Sequence, residues 1–156
     1  MSEDNQDRSA QAAKLVRNHM FASVASGILP IPILDVGILA AIQLRMLKKL
    51  ADLYEVDFSE QRANAIIGSL AGMGVAATVG GVLLSLLPSF AKAVVGIGTL
   101  TLPPASTYAL GQVFIKHFDT GGTFMTFDEE RAKEDYKEKL VEGKKEVEQS
   151  YAGIKP

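Results

Sequence analysis

Ala63-Asn-Ala-Ile-Ile-Gly68-Ser-Leu-Ala-Gly72-Met-Gly-Val-Ala76-Ala-Thr-Val-Gly80-Gly-Val-Leu-Leu-Ser85-Leu-Leu-Pro88-Ser-Phe-Ala91 runs without a single Asp, Glu, Lys, Arg or His. A core helix of a soluble protein rarely needs more than about 14 apolar residues in a row, whereas a bilayer crossing needs about 20. The stretch therefore predicts a membrane-spanning helix. Within it Gly68, Gly72, Ala76 and Gly80 recur at a spacing of four, with Ala77, Gly81 and Ser85 on a parallel stripe. Helices in lipid gain nothing hydrophobic by meeting, so their association depends on the close approach that small side chains permit. Three glycines in register favour a helix-packing interface over the alternative that glycine is simply common in membrane helices. The interface fits equally well inside one chain or between copies.

Working outward, Asp57-Phe-Ser-Glu60 has capping-box spacing and predicts a helix from Ser59 to Leu87, stopped by Pro88. The next segment, Ser89 to Phe118, carries Lys92 as its one charge before Lys116. The sequence Leu102-Pro103-Pro104 predicts a short helix, a break, and a further helix from Pro104 to Phe118. Upstream, residues 1–10 read as disordered, and a partly inserted helix is predicted from Gln11 to Leu29. Leu29-Pro30-Ile31-Pro32 stops it and suits the fold of a re-entrant hairpin. Asp35 then stands at an N-cap position for a helix ending near Tyr54. Leu39, Ile42, Met46, Leu50 and Leu53 form its apolar face, with Arg45, Lys48 and Lys49 nearby. A carboxylate at membrane depth is by default a functional residue. Capping of a helix at a proline break is the simpler role for Asp35 and the one the spacing favours.

Asp119-Thr-Gly-Gly122 is a turn, and Thr126 with Glu129 is a second capping-box pair, opening a charged helix to about Gln149. Glu129/Lys133, Arg131/Asp135 and Asp135/Lys139 are oppositely charged pairs four apart, each worth a few tenths of a kcal/mol. Tyr136, Leu140, Val147 and Tyr151 form a narrow stripe interrupted by Gly143. The stripe is either a docking face for another protein or incidental to a solvated helix. The predicted organisation is a disordered 1–10, a helical membrane domain 11–122 and a charged cytoplasmic helical tail 123–156. The fold class is all-α: a helical membrane protein with a glycine-zippered hairpin, a proline-broken re-entrant hairpin and a polar C-terminal helix.

The 156 residues carry a net charge of −2 and no cysteine, so nucleic acid is disfavoured as a partner, and disulfides and thiolate metal sites are excluded. His19 and His117 lie far apart with no carboxylate cluster, which leaves no metal site. No glycine is followed by Lys-Ser or Lys-Thr, so the phosphate-loop pattern is missing. The reading contains no catalytic residue and no cofactor-binding residue.

Several stretches resemble one bacterial family, DUF697. They are Gly27-Ile-Leu-Pro-Ile-Pro-Ile-Leu-Asp35, Gln43-Leu-Arg-Met-Leu-Lys-Lys-Leu-Ala-Asp-Leu-Tyr54, Ser59-Glu-Gln-Arg-Ala63, Thr107-Tyr-Ala-Leu-Gly111 and Ile115-Lys-His-Phe-Asp-Thr-Gly-Gly-Thr-Phe124. Their order and spacing carry the likeness across roughly residues 15–145. The resemblance implies an apolar helical protein of the kind that is sometimes fused to, or encoded beside, a small GTPase-like domain. It supplies no catalytic residues, and this chain has no GTPase domain of its own.

The expected function is a non-enzymatic integral membrane module. It self-associates and serves as a membrane platform for a cytoplasmic partner, with a GTPase-like protein as the candidate. One rival is a pore or transporter-like assembly with Asp35 at a broken-helix site. Another is a membrane-shaping hairpin protein. The expected partners are the lipid bilayer and further copies of the chain. Counting bases beside each apolar segment places both termini in the cytoplasm, at the bacterial inner membrane.

Overall fold

A computed structural model describes residues 3–24, 32–70 and 89–153, with side chains described at 3–24, 37–70 and 101–153. Five helices make up these residues: α1 (Glu3–Ala22), α2 (Pro32–Tyr54), α3 (Glu60–Leu70), α4 (Ser89–Asp119) and α5 (Glu129–Ala152). The fold is all-α, and no strand occurs among the described residues.

Helix α1 begins at Glu3, so the expectation that residues 1–10 are disordered is corrected from that point on. The acidic residues that read as solvated are helix starters. Glu3 and Asp4 occupy the first turn, where carboxylates offset the positive end of the helix dipole. Asp4 pairs with Arg8 at 3.7 Å, and Asp7 accepts from Gln11 at 3.1 Å. Ala12, Val16 and Met20, four apart, form its buried stripe. The helix ends at Ala22, earlier than the expected Leu29; residues 25–31 lie outside the described part.

Helix α2 starts at Pro32, and Asp35 therefore falls within its first turn rather than at its cap. Proline is favoured at the first helical position because its missing amide hydrogen has no intrahelical partner there. At the other end Glu55 adopts a left-handed conformation with φ 57°, and the Val56 amide donates to the Ala51 carbonyl at 2.9 Å, closing the helix. Helix α3 is capped by Ser59, whose hydroxyl accepts from the Arg62 amide at 3.3 Å, in place of the expected Asp57–Glu60 box.

Helix α4 is continuous through Pro103 and Pro104, which overturns the predicted break at Leu102-Pro103-Pro104. Two prolines remove two backbone donors. Packing just beyond them outweighs that loss: Ala105, Ala109, Leu110, Val113 and Phe114 all enter the core. Gly121 makes the turn that follows at φ 80°. Thr123 and Thr126 then bond to one another, so Thr126 is not the cap of α5. Asp128 takes that role, accepting from the Arg131 amide at 3.1 Å. The ion pairs along α5 form at a spacing of three (Glu130–Lys133, Glu134–Lys137, Lys139–Glu142) rather than the expected four.

Helix α4 is central, with α1, α2 and α5 packed on it and α3 bridging α2 and α5. Helices α1 and α2 are antiparallel, since Arg8 near the start of α1 lies 5.8 Å over the ring of Tyr54 at the end of α2. Helices α4 and α5 are antiparallel too: Lys116 meets Asp135 at 2.6 Å, and Tyr108 donates to Glu142 at 2.7 Å. One end of the bundle is aromatic. Phe114 stacks on Phe127 with centroids 4.7 Å apart, and Phe118, Phe124 and Tyr54 pack around the pair.

No helix among the described residues is long and apolar enough to cross a membrane. Of the uncharged stretch that predicted a span, residues 71–88 lie outside the described part. Its first residues do not face lipid: Ala63, Ile66, Ile67 and Leu70 are buried in the bundle core.

Candidate functional site

The most distinctive chemistry lies within the bundle, where four helices each place a polar side chain at one level. Ser23 follows the end of α1, Gln43 comes from α2, Ser106 and Thr107 from α4, and Tyr136 from α5. All five are buried. The Gln43 side chain donates to Ser106 Oγ at 3.1 Å and to Thr107 Oγ1 at 3.4 Å. Thr107 Oγ1 lies 2.7 Å from Ser23 Oγ, and Ser106 Oγ lies 2.8 Å from the Tyr136 hydroxyl. Ser23 also donates to the His19 carbonyl at 2.8 Å.

The Thr107 hydroxyl has one proton and two acceptors in reach, Ser23 Oγ and the Pro103 carbonyl at 3.1 Å. Burial raises the affinity of Tyr136 for its proton, which keeps the phenol neutral. Among the described residues the set holds no carboxylate, imidazole or amine, and it can hold four helices in register. Leaving one buried member without its partner would cost about 1–3 kcal/mol, so the set specifies a single packing of α1, α2, α4 and α5.

Glycine brings the helices close around this level. A Cβ added to Gly143 would lie 2.9 Å from the Ala105 carbonyl oxygen, so α4 and α5 meet there backbone to backbone. A Cβ on Gly111 would strike the Val16 methyls. These two contacts are the small-residue packing that the described residues contain. Gly68 is different: it is exposed, and nothing lies within 4 Å of its would-be Cβ. Gly72, Ala76 and Gly80 lie outside the described residues, and so does the side chain of Asp35.

The candidate partner-docking stripe is corrected. Tyr136 and Val147 are buried and Leu140 is partly buried, all against the chain's own core. Gly143, which read as an interruption of that stripe, is its closest contact with α4. Residues 129–152 therefore belong to the bundle, and the outward side of α5 is charged. There Glu142 accepts from Tyr108 and pairs with Lys139 at 2.6 Å. The Lys139 hydrogen bond, then that of Tyr108, holds the Glu142 carboxyl below its usual range.

The sequence reading missed Ser23, Gln43, Ser106 and Thr107. One signal was present, since Gln43 shares the helical phase of Met46, Leu47 and Leu50 and so is a polar residue in a core position. Among the described residues no group of three His, Cys, Asp or Glu could hold a metal ion.

Comparison with known proteins places these features in a lineage. The chain is 34% identical over 148 residues to magnetosome membrane protein 22 of Magnetospirillum gryphiswaldense, an overlap covering 90% of this chain and 74% of that protein. No solved structure matches it. The family model described as a domain of unknown function, DUF697, matches residues 2–145, nearly the whole chain, and the protein belongs to that family.

Proposed function

We propose that the protein is a non-enzymatic membrane module: its uncharged stretch inserts into the bilayer, and its helical bundle forms a platform for a cytoplasmic partner, with a GTPase-like protein as the candidate. The observation that carries this is the run from Ala63 to Ala91, which holds no charged side chain in a chain otherwise rich in charge. A relative named as a magnetosome membrane protein supports the same placement. The buried polar set supports a scaffold role, because it ties residues of four helices together through hydrogen bonds between neutral side chains. The open side of Gly68 supports self-association through the small-residue stripe.

The deciding experiment is extraction of membranes with alkaline carbonate. The protein is expected to stay in the pellet. Its release into the supernatant would show a peripheral or soluble bundle and would end the membrane reading.

A further inference from the structure

Helices α1 and α2 run in opposite directions, and both arrange their side chains in the same spatial order. Along α1 the sequence passes from a mainly acidic start (Glu3, Asp4 and Asp7, with Arg8 paired to Asp4) through bases (Lys14, Arg17) to the exposed Phe21. Along α2 it passes from a first turn that holds Asp35, through the apolar run Val36 to Ile42 and bases (Arg45, Lys48, Lys49), to Asp52, with Glu55 and Asp57 just beyond the helix. Because the helices are antiparallel, acid lies beside acid and base beside base. The bases form one band across both helices, with an apolar end on one side and an acidic end on the other.

The band is free to meet a partner. Lys14, Arg17, Arg45, Lys48 and Lys49 are all exposed. Only Lys48 is in an ion pair among the described residues, and that pair, with Asp52 at 3.6 Å, is open to solvent. Both helices turn their buried faces toward α4, so Lys14, Arg45, Lys48 and Lys49 point outward from the pair, while exposed Arg17 also lies within electrostatic reach of Tyr108 on α4. Beyond the band, Phe21 is 45% exposed, on the same side of α1 as Lys14, Arg17 and Asn18. Lys14 and Phe21 are separated by about 10 Å along the helix at 1.5 Å per residue. That matches the step from lipid phosphates to the acyl boundary, where exposed aromatic side chains settle.

We infer that this band binds the headgroups of an anionic bilayer surface, with Phe21 dipping below it and the acidic ends of α1 and α2 held in water. The inference rests on the membrane reading proposed above and adds the lipid class and the orientation. Five clustered bases fall in the range that recognises anionic lipid, each contributing about 1 kcal/mol near such a surface and all weakened by salt. A nucleic acid or a generic acidic protein would account for the charge. Neither would account for the apolar end lying in the same order on both helices.

The chain has no cysteine, so Asn18→Cys gives one labelling site between Arg17 and Phe21. The full-length variant, carrying an environment-sensitive fluorophore, is reconstituted into phosphatidylcholine vesicles or into vesicles rich in phosphatidylglycerol. Blue-shifted emission and shielding from aqueous iodide are expected on the anionic vesicles alone, and both should reverse in high salt. In the Lys14→Glu/Arg45→Glu/Lys49→Glu background the anionic preference should fall at least about tenfold. The salt response of the unaltered chain provides a readout that does not depend on how that variant folds. Equal emission on both vesicle types overturns the inference while leaving the membrane reading intact, and points to an acidic protein as the occupant. A chain that floats with neither vesicle type removes the membrane reading and the inference with it.

Discussion

A methyl group added at Gly143 would sit 2.9 Å from the Ala105 carbonyl oxygen and 3.1 Å from Ala105 Cα. Backbone cannot rotate away as a side chain can, so α4 and α5 would have to separate. Overpacking of this kind costs about 1–3 kcal/mol, against a gain of about 1 kcal/mol from alanine's better helix propensity. Gly143→Ala is therefore expected to be net destabilising and to lower the melting temperature by several degrees. At exposed Gly68, where nothing lies within 4 Å, the propensity term acts alone. In the bundle by itself Gly68→Ala would raise the melting temperature by about 2–4 °C. With a second helix seated on the small-residue stripe, as proposed above, the substitution is expected to lower it instead, and a rise would remove Gly68 from the self-association interface.

Tyr54 extends the argument to pH. Its hydroxyl donates to Asp119 at 2.8 Å. Burial, followed by the hydrogen bond and charge of Asp119, pushes its pKa up from 10.0 to about 12. The folded state thus holds this proton more tightly than the unfolded state. The resulting stability is complete below the ordinary tyrosine value and is lost as pH rises through the folded value. In urea titrations the unfolding midpoint should fall between about pH 10 and 12, less steeply in Tyr54→Phe than in the unaltered chain. Parallel slopes for the two proteins would show that Tyr54 does not carry the effect.

At the scale of elements, Arg62 ties three of them together. Its guanidinium donates to the Phe124 carbonyl at 3.3 Å and the Phe127 carbonyl at 3.1 Å, and pairs with Glu129 at 2.8 Å. The start of α3, the aromatic loop and the first turn of α5 are joined by one planar fork. Arg62→Ala is expected to lose about 1.5–3 kcal/mol in chemical denaturation, the range for hydrogen bonds to a charged group. Arg62→Lys should recover little, because an ammonium cannot reproduce the fork. A lysine variant as stable as the original would reduce Arg62 to a simple charge.

These elements also mark how far the sequence could be read. Beyond residues 3–10, which read as disordered, the helical nature of the described segments was legible, because apolar spacing and turn residues are local signals. Two caps were misassigned by two residues each: Ser59 and Asp128 compete with equally suitable neighbours, and only packing chooses between them. The break at Pro103-Pro104 was a sound local reading that tertiary contacts overrode. The buried polar set was out of reach, since its members come from positions as far apart as Ser23 and Thr107, separated by 84 residues. Tyr136 and Val147 read as a docking stripe because their partner, α4, lies at a distance in sequence that periodicity cannot bridge.

At the scale of the whole molecule, the membrane reading proposed above raises the question of how residues 71–104 would meet the bilayer, since Leu70 and Ala105 are buried in the core. A helical hairpin reversing at Pro88 would give each leg roughly 17 residues, or about 25 Å, against a hydrocarbon core of about 30 Å. The mismatch of about 5 Å costs fractions of a kcal/mol per Å through local thinning. Stopping inside the bilayer would instead leave Lys92 near its centre, at about 2.5–3.5 kcal/mol or more. The turn's unpaired backbone groups would add several kcal/mol. Under that proposal crossing is the cheaper outcome, and we expect Lys92 at the far surface and both termini on the near side with the basic band. Single cysteines at Ser2, Ser89 and Ser150 of this cysteine-free chain can be probed on intact cells with a membrane-impermeant thiol reagent. Labelling of Ser89→Cys alone is expected. Labelling at either terminus would reverse the orientation, and labelling at none of the three would mean that the hairpin turns within the membrane.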